Sequence, residues 1–218
     1  MSLIFVLDAC VVIDLEIPEI SYLEAFLRQM DGHRILMSRV NFEEIHNRAT
    51  RERLRNSPVV EIVEDEETDF RVFSRDLEGR RIMLGEKDRH VLYLAWKAGA
   101  DYVVSSDLNV FEKTRRYRKE VRADTLQPLT TADLFGFLYR TGRLSAYGRL
   151  EKTLQLFQYK EVDNIMETLK NQNLQCTRER QLDLIDDIKT EFQTRYRLYM
   201  KPLLDDLGNI GSPVGEEE

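Results

Sequence analysis

Four acidic residues stand where a folded chain can do metal chemistry: Asp8, Glu44, Asp88 and Asp107. Asp8 and Asp107 each close an apolar run, Leu-Ile-Phe-Val-Leu and Tyr-Val-Val-Ser-Ser. An acid at the carboxyl end of a buried strand points into the crevice where parallel α/β sheets bind ligands. Asp88 opens a helical run, and its spacing to Leu92, Ala95 and Trp96 puts it on their inward face. Glu44 falls in the first half of the helix expected after the second strand, from where it reaches the same end. Clustered carboxylates repel, and burial raises their pKa values. A divalent cation removes that conflict, and an all-oxygen donor set favours Mg2+ or Mn2+ over Zn2+. Such a cation lowers the pKa of a bound water and offsets charge on a phosphate, which is most of what phosphodiester hydrolysis needs.

Taken singly, each acid has a plainer reading. An Asp at a helix start is commonly a cap or dipole feature, and one after a strand is often a turn residue. Glu44 alone is a solvated helix acid. The joint pattern of two strand-end acids and two helix acids carries the weight. His46 and His90 each lie two residues after a helix acid, so they face elsewhere and are read as surface or packed histidines.

The elements that must position these acids follow from hydrophobic patterning. Strands are expected at 3–8, 34–37, 59–63 and 102–106, with a weak candidate at 121–125. Helices are expected at 19–30, 38–55 with Ser38 as N-cap, 68–78, 85–99 closed by Gly99, 109–119 and 131–139. Strands alternating with helices predict an α/β fold with a parallel sheet. The character changes near Gly142. Leu144, Tyr147, Leu150, Leu154 and Phe157 sit at helical spacing; Val162, Ile165, Met166 and Leu169 continue it after a break. Ile185, Ile188, Phe192, Tyr196, Tyr199 and Leu203 form a further stripe, which Pro202 kinks or ends. The tail from Gly208 reads as disordered. The expected organisation is a first domain over 1–141, a helical extension over 142–207 and an acidic tail over 208–218.

The bulk numbers exclude several classes. The 218 residues support a sizeable core, and no apolar run approaches the roughly 20 residues of a membrane span. The opening lacks the basic start of a signal peptide, and Cys10 and Cys176 form no disulfide framework or zinc pattern. A cytoplasmic protein is the simplest reading. The net charge of −7 is uneven: Glu64–Glu67 and Glu216–Glu218 are acidic blocks, and 113–122 is strongly basic. Phosphate binding depends on the local patch rather than the total. Arg115, Arg116, Arg118 and Lys119 are therefore candidates to guide a nucleic-acid backbone, and Tyr117 among them either stacks on a base or packs inward. No glycine-rich phosphate loop is present.

Three motifs resemble those of the PIN-domain nucleases. Val6-Leu-Asp-Ala-Cys-Val-Val-Ile-Asp-Leu15 is similar to the family's opening strand and Asp. Gly85-Glu-Lys-Asp-Arg-His-Val-Leu-Tyr-Leu-Ala95 resembles its second signature, and Gly99-Ala-Asp-Tyr-Val-Val-Ser-Ser-Asp107 its third. Thr130-Thr-Ala-Asp-Leu-Phe-Gly-Phe-Leu resembles the usual last helix, so the likeness spans about residues 1–140. It implies a Rossmann-like sheet of about five parallel strands with helices on both faces. It implies a Mg2+- or Mn2+-dependent endoribonuclease, similar to the ribonucleases of toxin–antitoxin pairs, with Asp8, Glu44, Asp88 and Asp107 as catalytic residues. Asp8, Asp88 and Asp107 are the implied metal ligands, with Glu86 as an extra or alternative one and Glu43 as the alternative to Glu44. Ser105 and Asn109 either assist the site or make local turn hydrogen bonds. Asp14, six residues beyond Asp8, is expected to face away from the site; its plainer reading is a helix-start acid.

Two other readings stay open. One is a PIN-like scaffold that binds RNA or a protein without cutting. The other is a haloacid-dehalogenase-like phosphatase, disfavoured because Cys10 stands where that family has its second Asp. The helices beyond Gly142 depart from the compact members of the family. They are expected to pack on the first domain, to make a homo-oligomer, or to receive a protein partner such as an antitoxin.

Overall fold

The computed structural model describes residues 2–18, 20–121, 125–171, 190 and 193–203. The chain divides into two compact units, Met1–Leu134 and Phe135–Glu218, whose boundary falls inside a helix.

The first unit is built on five parallel strands: β1 (Ile4–Leu7), β2 (Arg34–Ser38), β3 (Val60–Val63), β4 (Tyr102–Val104) and β5 (Gln127–Leu129). Their order is β3-β2-β1-β4-β5. β1 is central, pairing Val6 with Leu36 on one side and with Val103 on the other. Phe5, Val6 and Leu7 are wholly buried, as a strand covered on both faces requires. The chain first builds outward to β3 and then returns to the far side of β1 with β4. The gap at the ends of β1 and β4 is therefore a switch point, where the connections leave in opposite directions and open a crevice. The expected α/β fold with a five-stranded parallel sheet is what the chain forms.

The helices are α1 (Ala9–Glu16), α2 (Leu23–Gln29), α3 (Arg39–Glu43), α4 (Arg48–Asn56), α5 (Glu67–Gly79), α6 (Glu86–Ala98), α7 (Leu108–Val121) and α8 (Thr131–Arg140). α5, α6 and α7 share one core with Val6, Leu36 and Val103, filled by Phe73, Leu92 and Tyr93. Gly99 ends α6 in the left-handed conformation, φ 59°, and its N–H reaches back to the Ala95 and Trp96 carbonyls.

Several expectations need correction. α1 lies directly against β1, with Asp8 as the hinge between them. The stretch 38–55 is two helices rather than one. Ser38 caps α3 through Asn41 N–H, but the chain leaves the helix at Glu44, and Asn47 caps α4 by accepting from the Ala49 and Thr50 N–H groups. The last strand is 127–129 rather than 121–125, because α7 runs on to Val121. Its Pro128 lacks an N–H and is tolerated because β5 is an edge strand with β4 as its neighbour. Trp96 is half exposed, at 51%, and stacks on Phe73 at 5.4 Å instead of joining the inward face of α6.

In the second unit, α9 (Ala146–Asn171) is unbroken over 26 residues, without the expected interruption after Phe157. Arg149 is buried and lies 5.5 Å from the Tyr139 ring centroid. A π-helical turn spans Tyr196–Met200, and helix continues through Pro202 to Leu203. Proline cannot donate to the carbonyl four residues back, and a widened turn is where a helix absorbs that loss. Tyr199 and Leu203 are buried. Ile185, Ile188, Phe192, Cys176 and the tail 208–218 lie outside the described residues. No described helix is long and apolar enough to cross a membrane.

Candidate metal and active site

β1 delivers Asp8 to the crevice. Its N–H continues the ladder by bonding the Val104 carbonyl at 3.0 Å, so backbone pairing fixes where the carboxylate emerges. The residue is 6% exposed. Its Oδ2 accepts the Ser105 hydroxyl at 2.7 Å and the Cys10 thiol at 3.2 Å. Burial nevertheless pushes its pKa above the usual aspartate range, against those hydrogen bonds and one from the Ala9 N–H, and Glu44 adds to the rise. The Cys10 thiol is pushed up as well, by burial and then by the Asp8 charge, so it stays a protonated donor.

Asp107 follows β4 and is exposed. Its Oδ1 caps α7, accepting from Asn109 N–H at 2.7 Å and Val110 N–H at 3.4 Å. Asn109 thus contributes a backbone N–H to the cap. Ser105 couples the two strand ends: its Oγ donates to Asp8 and accepts from Asp107 N–H at 3.0 Å.

Asp88 sits in the first turn of α6, half-buried. Its pKa is pushed up to about 6, first by burial and then by the charges of Asp8, Asp107 and Glu44. This mutual repulsion places all four acids in one electrostatic neighbourhood. Gly85 packs close beside it: a Cβ there would stand 3.2 Å from Asp88 Oδ2, so the carboxylate would have to shift slightly.

Glu44 ends α3 at its C-cap. One oxygen pairs with Lys87 Nζ at 2.7 Å, and the other lies 3.4 Å from the Asn41 amide. That pairing raises the Lys87 pKa, with Asp88 adding to the effect. Among the described residues no three His, Cys, Asp or Glu side chains close into a ready metal cage. The donor chemistry still suits a hard divalent cation: it is all oxygen, and the repulsion on Asp88 is the conflict such a cation relieves.

The remaining candidates separate. Glu86 is exposed and lines a hollow with Arg71, Arg75 and Arg89. Glu43 is exposed. His90 stacks on Phe70 at 3.8 Å and bonds Asp65, and His46 is exposed. On α7, Arg115 and Lys119 are exposed. Arg116 is held by Glu120 and the Arg80 carbonyl, and Arg118 by Gln127. Tyr117 is 3% exposed and packs edge-on against Phe73, so base stacking by this ring is excluded. Burial and the nearby Asp76 push its hydroxyl up to about 12.

Sequence reasoning missed three contributors. Asp14 is not a helix-start acid: it lies near the end of α1, is wholly buried and accepts from the Ser106 and Thr131 hydroxyls. Ser106 N–H in turn bonds Cys10 Sγ at 3.2 Å, so this node backs directly onto Asp8's thiol partner. The pattern Val11, Asp14, Leu15 puts Asp14 on an inward helical stripe, which periodicity alone reveals once α1 is known. Lys87, the third, was visible as a cation between two acids at a helix start.

No family model matches the chain, and no curated protein matches it. Among solved structures it is similar to VapBC-1 from nontypeable Haemophilus influenzae, with 14% identity, 59% of this chain and 98% of that chain covered, and a TM-score of 0.41. It is also similar to VapBC2 from Rickettsia felis, solved bound to a DNA fragment from their promoter, with the same identity and coverage and a TM-score of 0.40.

Proposed function

We propose that the chain is a PIN-type, metal-dependent endoribonuclease that hydrolyses RNA phosphodiester bonds, acting as a toxin-type ribonuclease restrained by a protein partner at its C-terminal helices. The observation that carries this reading is the Asp88 carboxyl, pushed up to about 6 by burial and by Asp8, Asp107 and Glu44. Four separated segments bring mutually repelling acids to a sheet's switch point, an arrangement that costs stability unless a cation is bound there.

Asp8, Asp88 and Asp107 would hold Mg2+ or Mn2+. A bound cation of that kind lowers the pKa of water and offsets charge on the phosphate. Ser105 and the Cys10 thiol fix the Asp8 carboxylate through Oδ2. Asp107 holds α7 with Oδ1 and keeps Oδ2 for the site. Glu44 orients the attacking water. The water oxygen bonds to phosphorus in line as the bond to the 3′ oxygen breaks. The water gives up a proton, and the leaving oxygen takes one from solvent. The products carry a 5′-phosphate and a 3′-hydroxyl. Arg115 and Lys119 steer the backbone by charge.

The test is cleavage of a panel of RNAs and single-stranded DNAs with Mg2+, Mn2+ or EDTA, with end-group analysis of the products. Metal-dependent RNA cleavage is expected, and none under EDTA. A second reading, a scaffold that binds RNA or a protein without cutting, is favoured by the Lys87–Glu44 ion pair, since a protein cation already answers one acid. Metal-independent RNA binding with no cleavage under any metal would establish it.

A further inference from the structure

The cation that the chain itself brings to the acid cluster is Lys87. Its ammonium is 2.7 Å from Glu44 Oε1, and neither side chain is buried. Lys87 stands in the first turn of α6, immediately before Asp88. A lysine there opposes the helix dipole, whose positive end favours acids, so local helix chemistry gives no reason for it. An exposed ion pair of this kind contributes little to folding. Residues that break a local rule without a folding gain are concentrated at functional or strained positions. The Nζ sits on a flexible four-carbon stem and is 63% exposed by side chain, so it is free to change partners without moving α6.

We propose that the Lys87 ammonium is the site's second cation: it neutralises Glu44 at rest and, when RNA is bound, pairs with a non-bridging phosphate oxygen, so that the acids take up one divalent ion rather than two. The inference rests on the metal-nuclease reading and names how that site divides its positive charge. It assigns Asp8, Asp88 and Asp107 to the divalent ion and Glu44 to lysine. A neutral side chain at position 87 then leaves Glu44 unanswered and opens a place for another divalent ion. When the ammonium turns to the phosphate, Glu44 is released to orient water. No bond is made or broken by Lys87; its part is charge and position.

The experiment uses the full chain, with Lys87→Met and Lys87→Arg beside wild type. Mn2+ binding is measured by calorimetry and by electron paramagnetic resonance, without RNA. One Mn2+ per wild-type chain and two per Lys87→Met chain are expected. Two in both proteins, or one in both, overturns the proposal. In cleavage assays Lys87→Met should lower kcat about 100-fold with Asp8-dependent metal binding intact, while Lys87→Arg keeps most of the rate. Wild-type kcat in Lys87→Met also overturns it. Thermal melting close to wild type shows that the variants fold. If wild type cuts no RNA under any metal, the nuclease reading fails; a change from one to two Mn2+ still upholds lysine as the second cation.

Discussion

Asp14 and Asp88 are two inward-facing acids in one unit, and they are treated in opposite ways. Asp14 is wholly buried and receives the hydroxyls of Ser106 and Thr131. Asp88 is half-buried and meets three other carboxylates, which push its pKa up to about 6. Asp8 lies between these extremes, with the Ser105, Cys10 and Ala9 donors and still a raised pKa. Buried acids that hold a fold together are given donors. Acids held in mutual repulsion are a cost to the fold, and such groups concentrate where a ligand is to be bound. Substitutions should therefore separate the two kinds: a change at Asp14 should damage stability, and changes in the cluster should damage activity while leaving stability equal or higher.

The largest effect is expected at Asp8. Asp8→Asn keeps the shape and can still accept from Ser105, but it loses the charge that a divalent ion needs. RNA cleavage should fall on the order of 1000-fold or more, while the melting temperature holds or rises. Full cleavage by this variant would sink the metal-site reading. The next largest is Asp14→Ala, which takes from the Ser106 and Thr131 hydroxyls their shared acceptor, leaving them only each other, and opens a cavity. It should cost roughly 2–4 kcal/mol in urea unfolding. An Asp14→Ala protein as stable as wild type but inactive would move Asp14 from the first class into the second.

Asp88→Asn tests the cluster by its pH dependence. Asp88 ionises near 6 when folded and near 4 when unfolded, so between those values the folded chain holds more protons. Stability from this group is thus lost as pH rises through that window, and the penalty is full above it. Without metal, Asp88→Asn should be more stable than wild type by about 1 kcal/mol near neutral pH, after discounting for solvent screening. The advantage should vanish below about pH 4. Added Mn2+ should stabilise wild type more than the variant. Calorimetric scans across pH, with and without metal, measure both.

The sheet was legible because β1, β2 and β4 are buried apolar runs, and the Gly99 stop was legible because a left-handed turn needs glycine. α1 was not, since Val11, Val12 and Ile13 are β-branched and merge with the β1 run. β5 was hidden by Pro128 and by a helix that continues past its expected end. Within the site, strand ends and helical phase located the acids, because both are periodic properties of the chain. Their partners were invisible. The Lys87–Glu44 pair joins positions 43 residues apart, and Ser105 to Asp8 spans 97. Contacts of that range depend on how strands are ordered, which local spacing does not encode. Asp14 shows the same limit: donors from β4's loop and α8 decide that it is structural, and neither is near it in sequence.

The smallest expected effect carries the same contrast onto α7. Arg115 and Lys119 lie one turn apart on an exposed face, and the only ion pair of Arg115 among the described residues is a long one, 3.7 Å to Glu112. Arg116 and Arg118 are held by Glu120, the Arg80 carbonyl and Gln127. A side chain already committed within the protein has to give up a bond before it can meet a phosphate, so the four basic residues should not be equivalent. Arg115→Ala and Lys119→Ala should each weaken RNA binding and reduce the slope of log affinity against log salt by about 0.7, the value for one single-strand phosphate contact. Arg116→Ala and Arg118→Ala should leave that slope nearly unchanged and lower the melting temperature slightly instead, since each removes a brace between α7 and its neighbours. Equal slopes for all four variants would mean that these internal bonds break on binding, and that the whole basic stretch rather than one face of α7 follows the RNA.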